Sequence, residues 1–236
     1  MKPKYKRIAL KITGEALKDK KEIFSRQSLE HLANEISSVY RKVELALIIG
    51  GGNIVRGREL KEKFNTDPTI ADYIGMTATI INALLLDDFL RRWGIETRVM
   101  SSIDIHAVAE PFIFKRARRH LEKGRVIILA AGTGKSGVTT DKAAVLLASE
   151  IEAEIMMKGT KVDGIYTSDP KIDKDATLLP KLSYREFLAG DFERILDTSA
   201  VAQAKMQRLP IFVFNIFHKN SLIKAMCGKA KGTLIS

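Results

Sequence analysis

Two hydrophobic periods take turns along this chain. Arg7 to Ile12 alternates polar and apolar residues with a period of two, which predicts a strand. Ser25 or Ser28 can cap a helix reaching about Tyr40, with Leu29, Leu32, Ile36 and Val39 on one face. Val43 to Ile49 is a continuous apolar run and predicts a buried strand. Asp67-Pro68 marks a helix start, because proline is tolerated at the first helical position; that helix is predicted to reach Trp93 and stop at Gly94. Ile95 to Met100 predicts a strand, and Phe112 to Lys123 a basic helix closed by Gly124. Arg125 to Ala131 has few polar residues, as expected in the middle of a parallel sheet. Asp141 to Glu150 reads as helix and Glu154 to Lys158 as strand. Asp197 caps a helix to about Arg208, Pro210 opens a strand from Ile211 to Phe214, and Ser221 to Met226 and Thr233 to Ile235 read as a last helix and strand. Residues 163–181 form a polar connection of a length that is uncommon without a function.

Alternating strands and helices predict an α/β fold, a three-layer α/β/α sandwich with a mostly parallel central sheet, formed as one domain over residues 1–236. Ligands of such sheets collect at the carboxyl ends of the strands. Three glycine turns fall there: Lys11-Ile12-Thr13-Gly14, Gly50-Gly51-Gly52-Asn53 and Gly132-Thr133-Gly134. Glycine lets backbone N–H groups converge on a phosphate. Three such turns, each with a basic residue in or near it, suggest that two or more phosphate groups are held close together.

The 236 residues are 45% hydrophobic, enough for a sizeable core. A formal net charge of +11 attracts polyanions. The basic clusters at Lys18 to Lys21, Arg56 to Lys63 and Lys115 to Arg119 read as solvated faces, and the sparse aromatics do not interleave with them, so a nucleic-acid groove is not expected. A single cysteine, Cys227, excludes an intrachain disulfide and makes a reducing cytoplasm the default location. The basic N-terminus leads into a strand rather than a signal peptide. The apolar stretch Ile74 to Leu86, broken by Asn82, is expected to be too short to span a bilayer, so no membrane partner is expected.

Residues 130–137 invite comparison with a Walker-type loop, but the pattern needs glycine at position 129 and leucine stands there. Lys11, at a strand end beside a glycine turn, is suited to bridging donor and acceptor phosphates as charge shifts in the transition state. Arg56 can fork onto phosphate oxygens. Asp141 has two open readings: orienting Lys11 or a metal-bound water, or simply capping a helix. His31, His106, His120 and His218 are dispersed and lack partners at zinc-ligand spacing, and no Gly-x-Ser-x-Gly elbow occurs.

The segments Lys11-Ile12-Thr13-Gly14-Glu15-Ala16-Leu17, Ile49 to Gly57, Asp72-Tyr73-Ile74-Gly75-Met76, Ala131 to Gly134, Thr139-Thr140-Asp141 and Lys158 to Pro170 together resemble the bacterial uridylate (UMP) kinase family of the amino acid kinase superfamily, in order and over essentially the whole chain. The resemblance implies an amino acid kinase-like fold, with a UMP lobe of roughly 1–152 and an ATP lobe of roughly 153–236. It implies the reaction ATP + UMP → ADP + UDP, with Mg²⁺ held through the ATP phosphates rather than by a protein metal site, and a homohexamer. Carried over by position, Lys11, Ile12, Thr13, Gly14, Gly52, Arg56, Thr160, Tyr166 and Asp169 fall on ATP-binding positions. Gly51, Asp72 and the segment Thr133, Gly134, Lys135, Ser136, Gly137, Val138, Thr139 and Thr140 fall on UMP-binding positions, with Asp72 the ribose contact. Lys11, Asp141 and Arg56 are the catalytic candidates.

The chain departs from the family pattern in its acceptor loop. Lys135-Ser136-Gly137-Val138 stands where the family usually has a proline and two aromatic residues. Lys18 to Phe24 replaces a glycine-rich stretch associated with GTP activation, and Asp87 and Arg91 stand where an arginine and a histidine are expected. GTP is therefore not carried over as an effector, while UTP is retained as a candidate feedback inhibitor. Two alternatives stay open: a sister kinase with another small acceptor, and a nucleotide-sensing regulator with reduced catalysis.

Overall fold

The computed structural model describes residues 2–170 and 172–236; position 171, within the long polar connection, lies outside them. Among the described residues the chain runs β1 (Arg7–Ile12), a single 3-10 turn (Gly14–Leu17), α1 (Arg26–Val39), β2 (Glu44–Ile49), α2 (Gly57–Phe64), α3 (Pro68–Arg92), β3 (Thr97–Ser101), β4 (Glu110–Pro111) and α4 (Phe114–Glu122). It continues through β5 (Val126–Ala130), α5 (Thr140–Glu150), β6 (Ile155–Thr160), β7 (Lys181–Leu182), α6 (Tyr184–Ala189), α7 (Thr198–Gln207), β8 (Ile211–Asn215), α8 (Ser221–Met226) and β9 (Gly232–Ile235). Every element expected from hydrophobic period is present. The additional ones lack that signal: α2 buries none of its residues, so its sequence reads as a charge cluster, and β4 and β7 are two residues each.

The strands form one nine-stranded sheet in the order β4-β3-β5-β2-β1-β6-β8-β9-β7. Only the β8–β9 pairing is antiparallel. From β1 the chain moves outward to β2 and beyond on one side, while β6 opens the other side with β8, β9 and β7. The seam between β1 and β6 is therefore the topological switch point, where the connections diverge and leave a crevice at the carboxyl ends. The three glycine turns follow β5, β2 and β1, three consecutive neighbours running up to that seam.

Strand alternation assigns the two faces. Ile8, Leu10 and Ile12 point into a core shared with α1, α3 and α8, while Ala9 joins the opposite core with residues of α4, α5 and α7. Lys11 follows the Ala9 parity and so faces the α5 side.

Helix α3 is the scaffold of the turns. At 25 residues it is longer than the apolar run Ile74 to Leu86 suggested, and it is the one helix among the described residues long and apolar enough to cross a bilayer. Instead it lays Ala71, Ala78, Ile80, Ala83, Leu86 and Leu90 into the protein. Two polar side chains on its buried side hold the turns. Asn82, fully buried, donates to the Gly50 carbonyl at 2.7 Å and to Asn53 Oδ1 at 2.7 Å, and accepts from Asn53 Nδ2 at 3.1 Å. Thr79 Oγ1 accepts from the Ala131 N–H at 2.7 Å. One helix thus fixes the turns after both β2 and β5.

Asn82→Ala should destabilise the fold by about 1–3 kcal/mol in urea denaturation, because the Gly50 carbonyl and Asn53 lose their partner without access to water. A loss below about 0.5 kcal/mol, the range of ordinary surface substitutions, would show that the amide pair does not hold the turn.

Candidate active site

Lys11 and Lys158 are direct partners in the parallel β1–β6 register, so both ammonium groups leave the sheet on the same face at the switch point. Met156, two residues before Lys158, lies in the same core as Ala9, which confirms the shared direction. Asp141 rises to meet them from the first turn of α5, where Thr139 rather than Asp141 supplies the cap by accepting from the Lys142 N–H. Asp141 Oδ1 is 3.1 Å from Lys11 Nζ, and Oδ2 accepts from Lys158 Nζ at 2.5 Å. The side chains of Lys11, Lys158 and Asp141 are only 11%, 10% and 13% exposed. Asp141 thus pairs with both lysines and leaves the capping of α5 to Thr139.

Two cations and one anion leave one net positive charge in a dry place. Burial works to raise the Asp141 pKa, but Lys11 and Lys158 outweigh it and hold the carboxyl at about 2. Burial, with the Lys11 charge beside it, pushes the Lys158 ammonium down to about 8, against the opposing pull of Asp141. The cluster is buttressed from α7. The Asp197 N–H lies 3.4 Å from Asp141 Oδ2, and the Asp197 side chain both caps α7 and accepts from the Thr139 hydroxyl.

The glycine turns abut one another. A Cβ on Gly14 would lie 2.6 Å from the Gly50 carbonyl and 2.4 Å from Asn53 Oδ1, so only glycine lets the turns after β1 and β2 meet. Gly134 has φ +72°, and a Cβ there would lie 2.5 Å from the Ser102 carbonyl. Thr13 caps the 3-10 turn through its hydroxyl. Beside these turns Glu15 gathers three cations: Arg56 at 2.7 Å, Lys18 at 3.0 Å and Lys161 at 3.0 Å. Burial tends to raise the Glu15 pKa, but Lys18, Arg56 and Lys161 together bring it down to about 2.

Two cavities lie among the segments that follow β2, β5 and β6. The first, about 260 Å³, is lined by Gly51, Gly52, Arg56, Asp72, Thr133, Lys135, Val138, Thr139 and Thr140, together with α3 residues including Gly75, Met76 and Thr79. Thr140 directly precedes Asp141. The second, about 490 Å³, is lined by Val162, Gly164, Tyr166, Thr167, Asp169, Phe192, Arg194 and Ile195 among others, and Val162 follows Lys158 by four residues. Most of the residues assigned to UMP by resemblance therefore surround one space, and Tyr166 and Asp169 border another. Gly52 and Arg56, assigned to ATP, line the first. Thr160 ends β6 outside the second cavity, its hydroxyl accepting from the Val162 N–H. Ser136 and Gly137 sit on the Asp72 carboxylate.

Sequence reasoning did not single out Lys158, Glu15, Thr79, Asn82 or Phe192. Lys158 carried a usable signal, since it ends an apolar strand and precedes a glycine, much as Lys11 precedes Gly14. Asn82 and Thr79 carried a weaker one, as polar residues inside an apolar helical stretch. Glu15 carried none, because its three partners are brought to it by the fold.

Among the described residues no three His, Cys, Asp or Glu side chains converge to hold a metal. Asp141, the carboxylate at the centre, already faces two lysines. The donor set fits a cation carried in on phosphate oxygens better than a protein-built cage.

The sequence matches the model of the Amino acid kinase family over residues 6–215. The structure is similar to that of UMP kinase from Bacillus anthracis, with a TM-score of 0.94 at 40% identity, covering 98% of this chain and 96% of that one. UMP kinase from Ureaplasma parvum gives a TM-score of 0.92 at 33% identity, with 98% of each chain covered. Uridylate kinase from Archaeoglobus fulgidus gives 0.75 at 26% identity, covering 98% of this chain and 100% of that one.

Asp141→Asn should lower stability at neutral pH by about 3–5 kcal/mol, because two buried ammonium groups lose their counter-charge. The folded pKa of Asp141 lies below its unfolded value of 3.8, so its stabilisation is complete above about 3.8 and is lost as pH falls through about 2. Denaturation of both proteins should show a gap that narrows toward pH 2. A pH-independent gap, or none, would remove Asp141 from this role.

Proposed function

The chain belongs to the amino acid kinase family, in its UMP kinase branch, and transfers the γ-phosphoryl group of ATP to UMP, giving ADP and UDP; we propose that Lys11, Lys158 and Asp141 form its transfer centre. The observation that carries this reading is the lysine pair, sharing one carboxylate at the switch point.

The nucleophile is a UMP phosphate oxygen, anionic at neutral pH, so no general base is required. The barrier is repulsion between two polyanions, and catalysis rests on placement and positive charge. Lys11 and Lys158 present ammonium donors to the transferring phosphoryl group, whose equatorial oxygens carry the charge as the bond to the ADP oxygen breaks and the bond to the UMP oxygen forms. Asp141 supplies one counter-charge to both ammonium groups in a buried place and fixes their separation. Gly14, Gly51 and Gly52 offer backbone N–H groups, and Arg56 reaches toward the phosphates from the rim of the first cavity. In this reading that cavity takes UMP, with Asp72 on the ribose, and the second takes ATP along Tyr166 and Asp169. Mg²⁺ bound to the ATP phosphates supplies further charge neutralisation between the two nucleotides.

A homohexamer is proposed with this activity, supported by an apolar face of α3 on which Ile70, Tyr73, Ile74 and Ile81 are exposed. A cytoplasmic place in pyrimidine nucleotide synthesis, and inhibition by UTP, complete the proposal. Both are motivated by family membership, and the first also by the single cysteine.

Turnover of ATP should be measured with UMP, CMP, dUMP and small carboxylic acids as acceptors. UMP should be preferred, and silence with every pyrimidine monophosphate would overturn the assignment. Lys11→Ala should lower turnover by about a hundredfold or more, the scale of losing one transition-state donor; survival of activity would mean another residue performs the transfer.

A second expectation concerns pH. Because Lys158 titrates at about 8, kcat/KM for ATP should fall as pH rises through that value. In Lys158→Arg the falling limb should move upward, since a guanidinium stays protonated. An unmoved limb would assign it to another group.

A further inference from the structure

Asp72 lines the first cavity, yet most of its carboxylate is already engaged. Oδ2 accepts from the Ser136 hydroxyl at 2.8 Å and from the Gly137 N–H at 2.8 Å. Oδ1 accepts from Lys61 Nζ of α2 at 3.1 Å. A carboxylate has about four acceptor positions. Three are taken by the chain itself, which leaves one.

A ribose offers two adjacent hydroxyls. Its diol needs two acceptor positions to sit on one carboxylate, so one internal donor has to give way. The three donors differ in strength. Lys61 carries a charge, and its bond is the charge-assisted one. The Gly137 N–H belongs to the backbone and leaves only if the loop moves. The Ser136 hydroxyl is neutral, rotates freely and is chemically the same group as the sugar hydroxyl that would replace it.

We propose that Ser136 is a specificity determinant: its hydroxyl occupies on Asp72 the place of one sugar hydroxyl, and UMP must displace it whereas a 2′-deoxynucleotide need not. This rests on the reading of Asp72 as the ribose contact. A deoxyribose brings its single hydroxyl to the one open position and leaves Ser136 bound. Competition therefore weakens binding of the ribonucleotide selectively and narrows the margin between UMP and dUMP. The device belongs to the loop Lys135-Ser136-Gly137-Val138, in which Lys135 and Val138 line the same cavity as Asp72. A small flexible segment can fold its hydroxyl back onto Asp72.

Isothermal titration of the full-length protein with UMP and with dUMP tests it. Ser136→Ala should tighten UMP by roughly fivefold, the scale of one net hydrogen bond, and change dUMP by less than about twofold. Ser136→Thr keeps the hydroxyl and should restore the original UMP-to-dUMP ratio. A ratio in Ser136→Ala that is unchanged or reduced overturns the proposal, since a merely supporting loop contact would weaken both ligands together. Asp72→Asn separates the two levels. If it weakens UMP while Ser136→Ala leaves the ratio unmoved, the ribose contact stands and the competition fails. If Asp72→Asn leaves UMP binding intact, the ribose reading fails and the competition with it.

Discussion

A carboxylate shared by two buried ammonium groups is the constraint around which this molecule is arranged. A buried ammonium group is costly on its own, because desolvation disfavours an isolated cation. Together they would repel. Asp141 makes the pair tolerable, and it does so only if three elements meet at one point: the ends of β1 and β6 in register, and the first turn of α5 across them. Small residues permit this approach. Ala9 lies on β1 beneath the helix, and Ala143, Ala144 and Ala148 line the buried side of α5. In the proposed mechanism the excess positive charge left over is what a transferring phosphoryl group meets.

In the same proposal the remaining parts bring phosphates to that charge. Strands β5, β2 and β1 stand side by side, so their glycine turns form a row along one edge of the sheet. Helix α3 crosses behind that row and grips it with Asn82 and Thr79. Both are polar groups on the buried side of the helix, Asn82 bonded to the Gly50 carbonyl and the Asn53 side chain and Thr79 to the Ala131 N–H. Such satisfied buried amides specify one geometry, because any slip leaves them unpaired. The chemistry needs no histidine or thiol, and the four histidines lie away from the centre, engaged elsewhere; His31, for example, bonds the Ile216 carbonyl.

Much of this was legible in the chain. Hydrophobic period located the long strands and helices, and the three glycine turns fall, as expected, at the carboxyl ends of neighbouring strands. Lys11, Arg56, Asp72 and Asp141 could be named from position and resemblance. What stayed hidden depends on distance in sequence. Lys158 is separated from Lys11 by 147 positions, and only sheet register makes them neighbours. Glu15 gains Lys161 and Arg56 through folding alone. Helix α2 escaped because an exposed helix has no apolar stripe to read. The Ser136 contact with Asp72 joins a loop to a helix 64 residues away, and no local pattern encodes it.

The divergence of the chain at the β1–β6 seam has a consequence for how such an enzyme changes over generations. One wall of the crevice is built from segments before residue 152 and the other from segments after it, with the charged hinge between them as common property. Mutational drift in one wall therefore need not propagate to the other. Lys135 and Val138 line the first cavity and not the second. In the proposed reading such an architecture is modular: one wall can be rewritten while the other stays as it is.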